Sequence, residues 1–329
     1  MKLRLSLIAL FAFALLATLR AEPLKIAIVG LDSSHSVAFT KLLHEEKNPD
    51  HVPGGVVVAA FKGGSPDIEK SIKRIDGFTE QMSKLGVKIA GTIAETVAGV
   101  DAVLIVSVDG RAHLEQFKQV VALAPGKPVF IDKPLGGSLR EGAEIFRLAR
   151  KEKIPVFTAS TLRFTPALQD LQVGTIRTAI GYSPAELEAH HPDLFWYNIH
   201  AVETVYRMLG RGCVSVSRVQ TANSEVATGV WSDGRVGVVL GLRGTPGVYG
   251  FKVFGEKRTV GEDLKVGYGP LVRAVMTFFQ TKQPPVTAAE SLETLAFMEA
   301  ADLSKKQGGK AVSLSELLAP YADIMAPTP

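Results

Sequence analysis

The first 160 residues alternate short apolar segments with amphipathic ones, and this alternation constrains the fold more than any other feature of the chain. The apolar segments are rich in Val and Ile and almost free of polar residues, which is typical of parallel strands buried on both faces. Strands that alternate with helices predict a doubly wound parallel sheet. The predicted strands are Lys25–Val29, Gly55–Phe61, Ala102–Ser107, Pro128–Ile131 and Pro155–Thr158. The predicted helices between them are Ser36–Glu45, Ser65–Leu85, His113–Ala124 and Leu139–Lys151.

The second half of the chain has a different pattern, in which strands separated by turn signals precede two helices. Asp233-Gly234 between two apolar runs predicts a hairpin, so this half is expected to form a mainly antiparallel sheet. With 329 residues, the chain is long enough for two domains. We predict an α/β Rossmann domain over 22–160 and an α+β domain over 161–329. The strands predicted in the second domain are Val214–Thr221, Val226–Trp231, Val236–Gly241, Gly250–Val253 and Lys257–Val260, and its helices are Pro270–Thr281 and Ala288–Lys306.

The N-terminus resembles a secretory signal peptide. Lys2 and Arg4 precede an uncharged apolar run from Leu5 to Leu19, which is short for a membrane span of about 20 residues. Ala21 supplies a small residue near a possible cleavage point. We therefore predict that residues 1–21 are removed and that the mature protein is periplasmic or secreted, with no membrane segment.

Charge and cysteine content exclude several classes of protein. The formal net charge is +4, but residues 1–21 hold three basic residues and no acid, which leaves 34 basic against 33 acidic residues in the mature chain. Such a balance gives no reason to expect nucleic-acid binding. The one cysteine, Cys213, cannot form an intrachain disulfide, and the spacing of the histidines and acids matches no standard metal motif, so no metal is predicted.

The stretch "KIAIVGLDSSHSVAF" places a polar turn where a Rossmann fold holds a dinucleotide pyrophosphate. Of the G-x-G-x-x-G fingerprint only Gly30 remains, because Asp32 and His35 occupy the other two glycine positions. Asp32 is a candidate cofactor contact, or alternatively it caps the following helix, where it would compete with a phosphate for the same N–H groups. Ser33, Ser34 and His35 are candidates for phosphate or substrate contacts. The loop thus leaves dinucleotide binding and helix capping as open alternatives.

Lys62 ends the second predicted strand, where an NAD-binding fold places an acid for the ribose. A lysine at this point is a candidate ligand for the 2′-phosphate of NADP, or it is a solvated loop residue. The choice between NAD and NADP stays open.

The segment from 100 to 139 carries the most specific signal. A strand ends at Ser107, His113 begins a helix, and a second strand ends in Asp132-Lys133-Pro134. This arrangement resembles the glucose–fructose oxidoreductase, inositol dehydrogenase and rhizopine catabolism family (Gfo/Idh/MocA), with Asp in place of the family's Glu in Glu-Lys-Pro. The resemblance implies that Lys133 is catalytic and that Ser107, His113 and Asp132 lie at the cofactor.

Residues 190–213 extend the resemblance, which covers nearly the whole mature chain as far as residue 314. His200 matches the family's catalytic histidine, although Trp196 stands where the family usually has an Asp four residues earlier. Tyr197, Asn198 and Glu203 are the predicted substrate contacts. An open alternative is that His200 and Glu203 merely belong to the polar face of a helix.

The resemblance implies an NAD(P)-dependent oxidoreductase that acts on a hydroxyl group of a sugar or cyclitol and forms a homodimer or homotetramer. Export argues for a tightly held cofactor, since free dinucleotides are not expected to be abundant outside the cytoplasm. Two alternatives are an exported sugar-binding or cofactor-free descendant of the family, and a lyase or hydrolase that uses His200 and Glu203. Fold alone does not choose among these functions.

Overall fold

The apolar strands of the first half assemble into a six-stranded parallel sheet in the order β3-β2-β1-β4-β5-β6. The computed structural model describes residues 22–245 and 247–326, so the predicted signal peptide lies outside the described residues. The central strands are buried on both faces, as their continuous apolar sequences predict. The strands are β1 (Leu24–Val29), β2 (Gly55–Phe61), β3 (Lys88–Ala90), β4 (Ala102–Ile105), β5 (Val129–Ile131) and β6 (Val156–Thr158).

Helices connect these strands, which confirms the predicted doubly wound arrangement. They are α1 (Ser34–His44), α2 (Glu69–Lys84), α3 (Ile93–Val97), α4 (His113–Leu123) and α5 (Leu139–Lys151). The short elements β3 and α3 were not predicted, because three and five residues are too few to show a period. Helix α2 begins four residues later than predicted, which leaves 62–68 as a loop.

The second half forms a seven-stranded sheet in the order β12-β11-β7-β10-β9-β8-β13. The predicted Asp233-Gly234 hairpin joins β9 to β10, with Gly234 at φ +85°. The central strand β7 was missed because its sequence, IRTAIGYSP, mixes glycine and polar residues; it pairs parallel to β10 and antiparallel to β11. The strands are β7 (Ile176–Pro184), β8 (Cys213–Gln220), β9 (Ser224–Trp231), β10 (Val236–Leu242), β11 (Gly250–Gly255), β12 (Thr259–Asp263) and β13 (Val312–Ser313).

The helices of the second half are α6 (Ile199–Leu209), α7 (Gly269–Thr281), α8 (Ala288–Lys306), α9 (Leu314–Leu318) and α10 (Ala322–Met325). Two of them, α7 and α8, pack in the cores of the molecule. Leu271 and Phe278 of α7 belong to the core beneath the first sheet, while α8 packs in a core to which both sheets contribute residues. Thr287 caps α8 by accepting a hydrogen bond from the backbone N–H of Glu290. Within the described residues, the helices include none with the length and apolar character needed to span a bilayer.

Candidate active site

The carboxyl ends of β1, β4 and β5 meet at one edge of the parallel sheet, and the polar loops that follow them form the candidate site. Gly30 ends β1 with φ +95°, and a Cβ atom at this position would lie 2.2 Å from the Ser107 Oγ in the loop after β4. Glycine is therefore required both for the backbone conformation and for the close approach of the two loops.

Ser33, and not Asp32, caps helix α1. The Ser33 Oγ accepts a hydrogen bond from the His35 backbone N–H at 3.2 Å. The alternative in which Asp32 is the N-cap does not hold, because the helix begins one residue later than that role requires.

Asp32 instead ties three segments of the chain together. Its side chain is completely buried, and its carboxylate accepts hydrogen bonds from the Val108 backbone N–H at 3.0 Å and from the Ser71 Oγ at 2.7 Å. Ser34, at the start of the helix, is exposed to solvent.

The loop over 62–68 crosses from β2 to the loop after β4. The buried Ser65 Oγ donates to the Asp109 carboxylate at 2.8 Å, and Asp67 forms a bidentate ion pair with Arg111 at 2.9–3.0 Å. In a dinucleotide-binding Rossmann fold, the crevice beside β1 at this edge holds the cofactor. Here the chain's own loop bridges that crevice on the β2 side.

A pocket of about 100 Å³ lies next to this crevice, between the two sheets. A water molecule has a share of about 30 Å³ in the liquid, so the pocket has room for one small polar group and its immediate neighbours. Six of the predicted site residues line it: Ser33, Ser34, His35, Lys133, Tyr197 and His200.

Lys133 presents an unpaired ammonium group to this pocket. The residue is 8% exposed, and its Nζ forms no ion pair or hydrogen bond with any residue in the described part of the chain. The Tyr197 ring centroid lies 5.5 Å from this Nζ, while the Tyr197 hydroxyl is 2.9 Å from the Nζ of Lys70 on α2. Burial would raise the pKa of Tyr197, but the Lys70 hydrogen bond and the charges of Lys133 and Lys70 lower it overall.

His200 enters the pocket from α6, which follows a π-helical turn over Leu194–Asn198. Its Nδ1 is 2.7 Å from the Oγ of Ser160, which follows β6. Burial, and then the positive charge of Lys133, hold the pKa of His200 well below its ordinary value. His200 is therefore a neutral imidazole at physiological pH.

His35 faces the pocket from α1 and pairs with Asp132 of the Asp-Lys-Pro motif. The His35 Nδ1 is 2.5 Å from the Asp132 Oδ2, and both side chains are buried. Burial would raise the pKa of Asp132, but the nearby His35 and Lys133 lower it overall. The carboxylate stays ionised at neutral pH.

Several predicted site residues lie outside the pocket. Ser107 bonds to Gln116, and both ring nitrogens of His113 bond to backbone carbonyls, which fixes the loop between β4 and α4. Lys62 pairs with Asp76 at the surface.

Asn198 and Glu203, which were predicted to contact the substrate, do not line the pocket. The Asn198 Oδ1 accepts from Ser183 beneath the second sheet, and Glu203 is ion-paired with the buried Arg163 at 2.6 Å. Both face the protein interior, because the helical pattern alone does not tell which neighbour covers each face.

Seven residues that line the pocket were not predicted from the sequence: Arg74, Val108, Thr161, Leu162, Tyr249, Val266 and Tyr268. Thr161 and Leu162 follow the carboxyl end of β6, and the rule that ligands bind at strand ends could have found them. Tyr249 and Tyr268 come from connections in the second half, where no local motif marks them.

Residues 24–160 match the family model described as the Gfo/Idh/MocA oxidoreductase family, NAD-binding Rossmann fold. This match covers the Rossmann half of the chain and does not extend into the second half. A search of curated protein sequences finds no match.

Solved structures agree with this fold over both halves of the chain. GenD2 from gentamicin A biosynthesis, in complex with NAD, has a TM-score of 0.72 at 18% identity and covers 90% of this chain and 97% of its own. Scyllo-inositol dehydrogenase from Lactobacillus casei, with bound NAD(H) and scyllo-inositol, has a TM-score of 0.71 at 15% identity, with coverage of 89% and 100%. A probable dehydrogenase from Thermotoga maritima has a TM-score of 0.71 at 18% identity, with coverage of 89% and 99%. At these identities the likeness shows the fold.

The residues at the carboxyl edge of the first sheet fit a dinucleotide at the pyrophosphate position. Gly30 keeps the turn that lets the loops approach closely, and the α1 N-terminus is capped by Ser33 without being covered by the Asp32 carboxylate. On the adenosine side, Ser65 and Asp67 make contacts across the crevice to residues Asp109 and Arg111 of the loop after β4.

Proposed function

We propose that this protein is an NAD(P)-dependent oxidoreductase that transfers a hydride between nicotinamide and a hydroxyl-bearing carbon of a sugar, cyclitol or related polyol. The observation that carries the proposal is the convergence of an unpaired Lys133 ammonium and the His200 imidazole on one pocket at the carboxyl edge of the Rossmann sheet. Such a cluster of buried polar groups with a perturbed pKa is typical of a catalytic site.

The pocket chemistry suits a polyol. Three tyrosine rings, from Tyr197, Tyr249 and Tyr268, supply apolar faces, while Lys133 and His200 supply polar contacts to a hydroxyl oxygen. The similar structure from Lactobacillus casei holds scyllo-inositol together with NAD(H), which supports the choice of substrate class. Lys133 would orient the reacting hydroxyl and stabilise negative charge on its oxygen.

The cofactor, when bound, would accept or donate the hydride at C4 of its nicotinamide ring. Gly30, Ser33 and Ser34 would hold its pyrophosphate at the α1 N-terminus, where backbone N–H groups favour an anion. Asp132 would keep its place behind the pocket, bonded to His35.

One observation favours the alternative of a sugar-binding protein that no longer uses a dinucleotide. The loop over 62–68 closes the β2 side of the cofactor crevice through Ser65–Asp109 and Asp67–Arg111. A lyase or hydrolase that uses Glu203 is disfavoured, because this carboxylate is committed to Arg163 away from the pocket.

Export through residues 1–21 remains part of the proposal. Mass spectrometry of the protein recovered from the periplasmic fraction or the medium of its expression host should find a mature N-terminus close to Glu22. Recovery of the full-length chain from the cytoplasm alone would contradict export.

The test of the oxidoreductase function is calorimetry with NAD(H) and NADP(H), followed by turnover with a polyol panel that includes scyllo- and myo-inositol. Lys133→Met should abolish turnover without lowering the melting temperature or the dinucleotide affinity. Absence of binding heat for all four dinucleotides, together with binding of a polyol, would replace the proposal by the sugar-binding alternative.

A further inference from the structure

Two imidazoles line the candidate pocket, one from each half of the chain. His35 stands on α1 where the dinucleotide fingerprint has its third glycine, and His200 stands on α6. Both line the same pocket as Lys133. Their hydrogen bonds decide what each ring presents to the pocket.

His200 presents a donor. The Ser160 Oγ accepts a hydrogen bond from the Leu162 backbone N–H at 3.2 Å, and Ser160 is completely buried. Among the described residues, its hydroxyl hydrogen has one acceptor within reach, the His200 Nδ1 at 2.7 Å. A buried hydroxyl donates to such an acceptor, so Nδ1 carries no hydrogen and the neutral ring carries its hydrogen on Nε2.

His35 presents an acceptor. The ionised Asp132 carboxylate can only accept, so the His35 Nδ1 carries the hydrogen of the 2.5 Å bond. The neutral ring then has a free lone pair on Nε2, which makes no hydrogen bond within the described part of the chain. Phe39 stacks on the ring at 5.2 Å and Tyr268 contacts it edge-on at 4.8 Å, so the ring is held in place.

We propose that His35, oriented by Asp132, is the catalytic base that takes the proton of the substrate hydroxyl, and that His200 and Lys133 donate hydrogen bonds to the same oxygen. This assignment rests on the proposed oxidoreductase function. It places the carboxylate–imidazole pair on the Rossmann side of the pocket, at a position where the glycine fingerprint has no side chain.

The step balances with a nicotinamide dinucleotide as the oxidant. The substrate O–H bond breaks and its proton forms an N–H bond at the His35 Nε2, while the electron pair of the O–H bond forms the new carbonyl. The hydride leaves the same carbon for the oxidised nicotinamide. Asp132 compensates the charge of the resulting imidazolium, and the His200 Nε2–H and the Lys133 ammonium stabilise the oxygen as it loses its proton.

The test compares His35→Gln with His200→Gln and with the control His51→Gln. His51 lies at the opposite side of the sheet and bonds to the Leu42 carbonyl. In His35→Gln, kcat for polyol oxidation should fall by about 10²–10⁴-fold, the usual contribution of a general base. Dinucleotide affinity by calorimetry and the melting temperature should stay unchanged, and exogenous imidazole should restore turnover in His35→Ala.

A second readout does not depend on turnover. In protein labelled with ¹³C-histidine, the His35 ring signal should move when scyllo- or myo-inositol is added to the protein with NAD⁺, and Asp132→Asn should weaken this response. The charged and titratable groups that surround the His35 ring are Asp132, Lys133, His200, Tyr268 and Arg74.

Each contrary outcome has a distinct meaning. If no dinucleotide binds to the wild-type protein, the proposed function itself fails. If the wild type turns over while His35→Gln keeps its kcat and its pH profile, or raises only the KM for the dinucleotide, the inference about His35 is overturned and the function stands. Loss of the acid limb of the pH profile in His200→Gln alone would assign the base to His200 instead.

Discussion

Asp32→Gly restores the second glycine of the dinucleotide fingerprint, and we expect it to destabilise the protein. The buried Asp32 carboxylate accepts from the Val108 N–H and from the Ser71 hydroxyl, and glycine leaves both donors without an acceptor. Each unsatisfied buried donor costs about 1–3 kcal/mol. The free energy of unfolding should therefore fall by roughly 2–6 kcal/mol, to which the greater backbone freedom of glycine adds roughly 0.5–1 kcal/mol.

The assay is thermal unfolding followed by circular dichroism. A loss of this size should lower the melting temperature by roughly 5–15 °C. Asp32→Ala separates the lost acceptor from the flexibility of glycine, and Asp76→Asn is the matched control, because Asp76 is exposed and pairs with Lys62 at the surface. An Asp32→Gly protein as stable as the wild type would refute the assignment of Asp32 as a structural acceptor.

Three further predictions concern the loop bridge, pH and assembly. Asp67→Asn removes the bidentate ion pair with Arg111, which joins the loop over 62–68 to the loop after β4. Dinucleotide affinity measured by calorimetry should rise by roughly two- to five-fold. An unchanged or lower affinity would show that this ion pair does not oppose binding. Burial lowers the pKa of His191 to about 4, below its ordinary 6.5. The neutral ring therefore contributes roughly 3 kcal/mol to the free energy of unfolding above pH 6.5, and this contribution should be lost as the pH falls toward 4. His191→Gln should flatten this slope in denaturant titrations. Val219 is 67% exposed, and Val214, Val226 and Val230 are exposed on the same open sheet. We therefore expect a dimer or tetramer by light scattering, which Val219→Lys should shift toward monomer. A wild-type monomer would contradict this prediction.

The sequence predicted the Rossmann sheet because its strands are buried on both faces and therefore read as uninterrupted apolar runs. The strand β7 had no such signal, because it contains Arg177, Thr178 and Gly181. These residues are extended because β7 pairs with β10 and β11, and not because their own sequence pattern favours a strand. Long-range pairing of this kind is invisible in a local window.

The site was predictable where a residue follows the end of a parallel strand. Lys133 and Ser33 were found in this way, whereas Tyr268 reaches the pocket from the turn before α7 and carries no motif. Asp32 and Ser33 differ by one position in the turn, and only the dihedral angles at the start of α1 decide which of the two is the cap.

Hydride transfer from a polyol is the central claim, and isotope transfer tests it most directly. Purified mature protein is incubated with carbon-deuterated scyllo- and myo-inositol and other polyols together with NAD⁺ or NADP⁺, and the reduced cofactor is analysed by mass spectrometry. We expect a reduced dinucleotide that carries one deuterium and is formed by the wild type but not by Lys133→Met. Tight binding of a polyol and of a dinucleotide without any transferred deuterium would contradict the account.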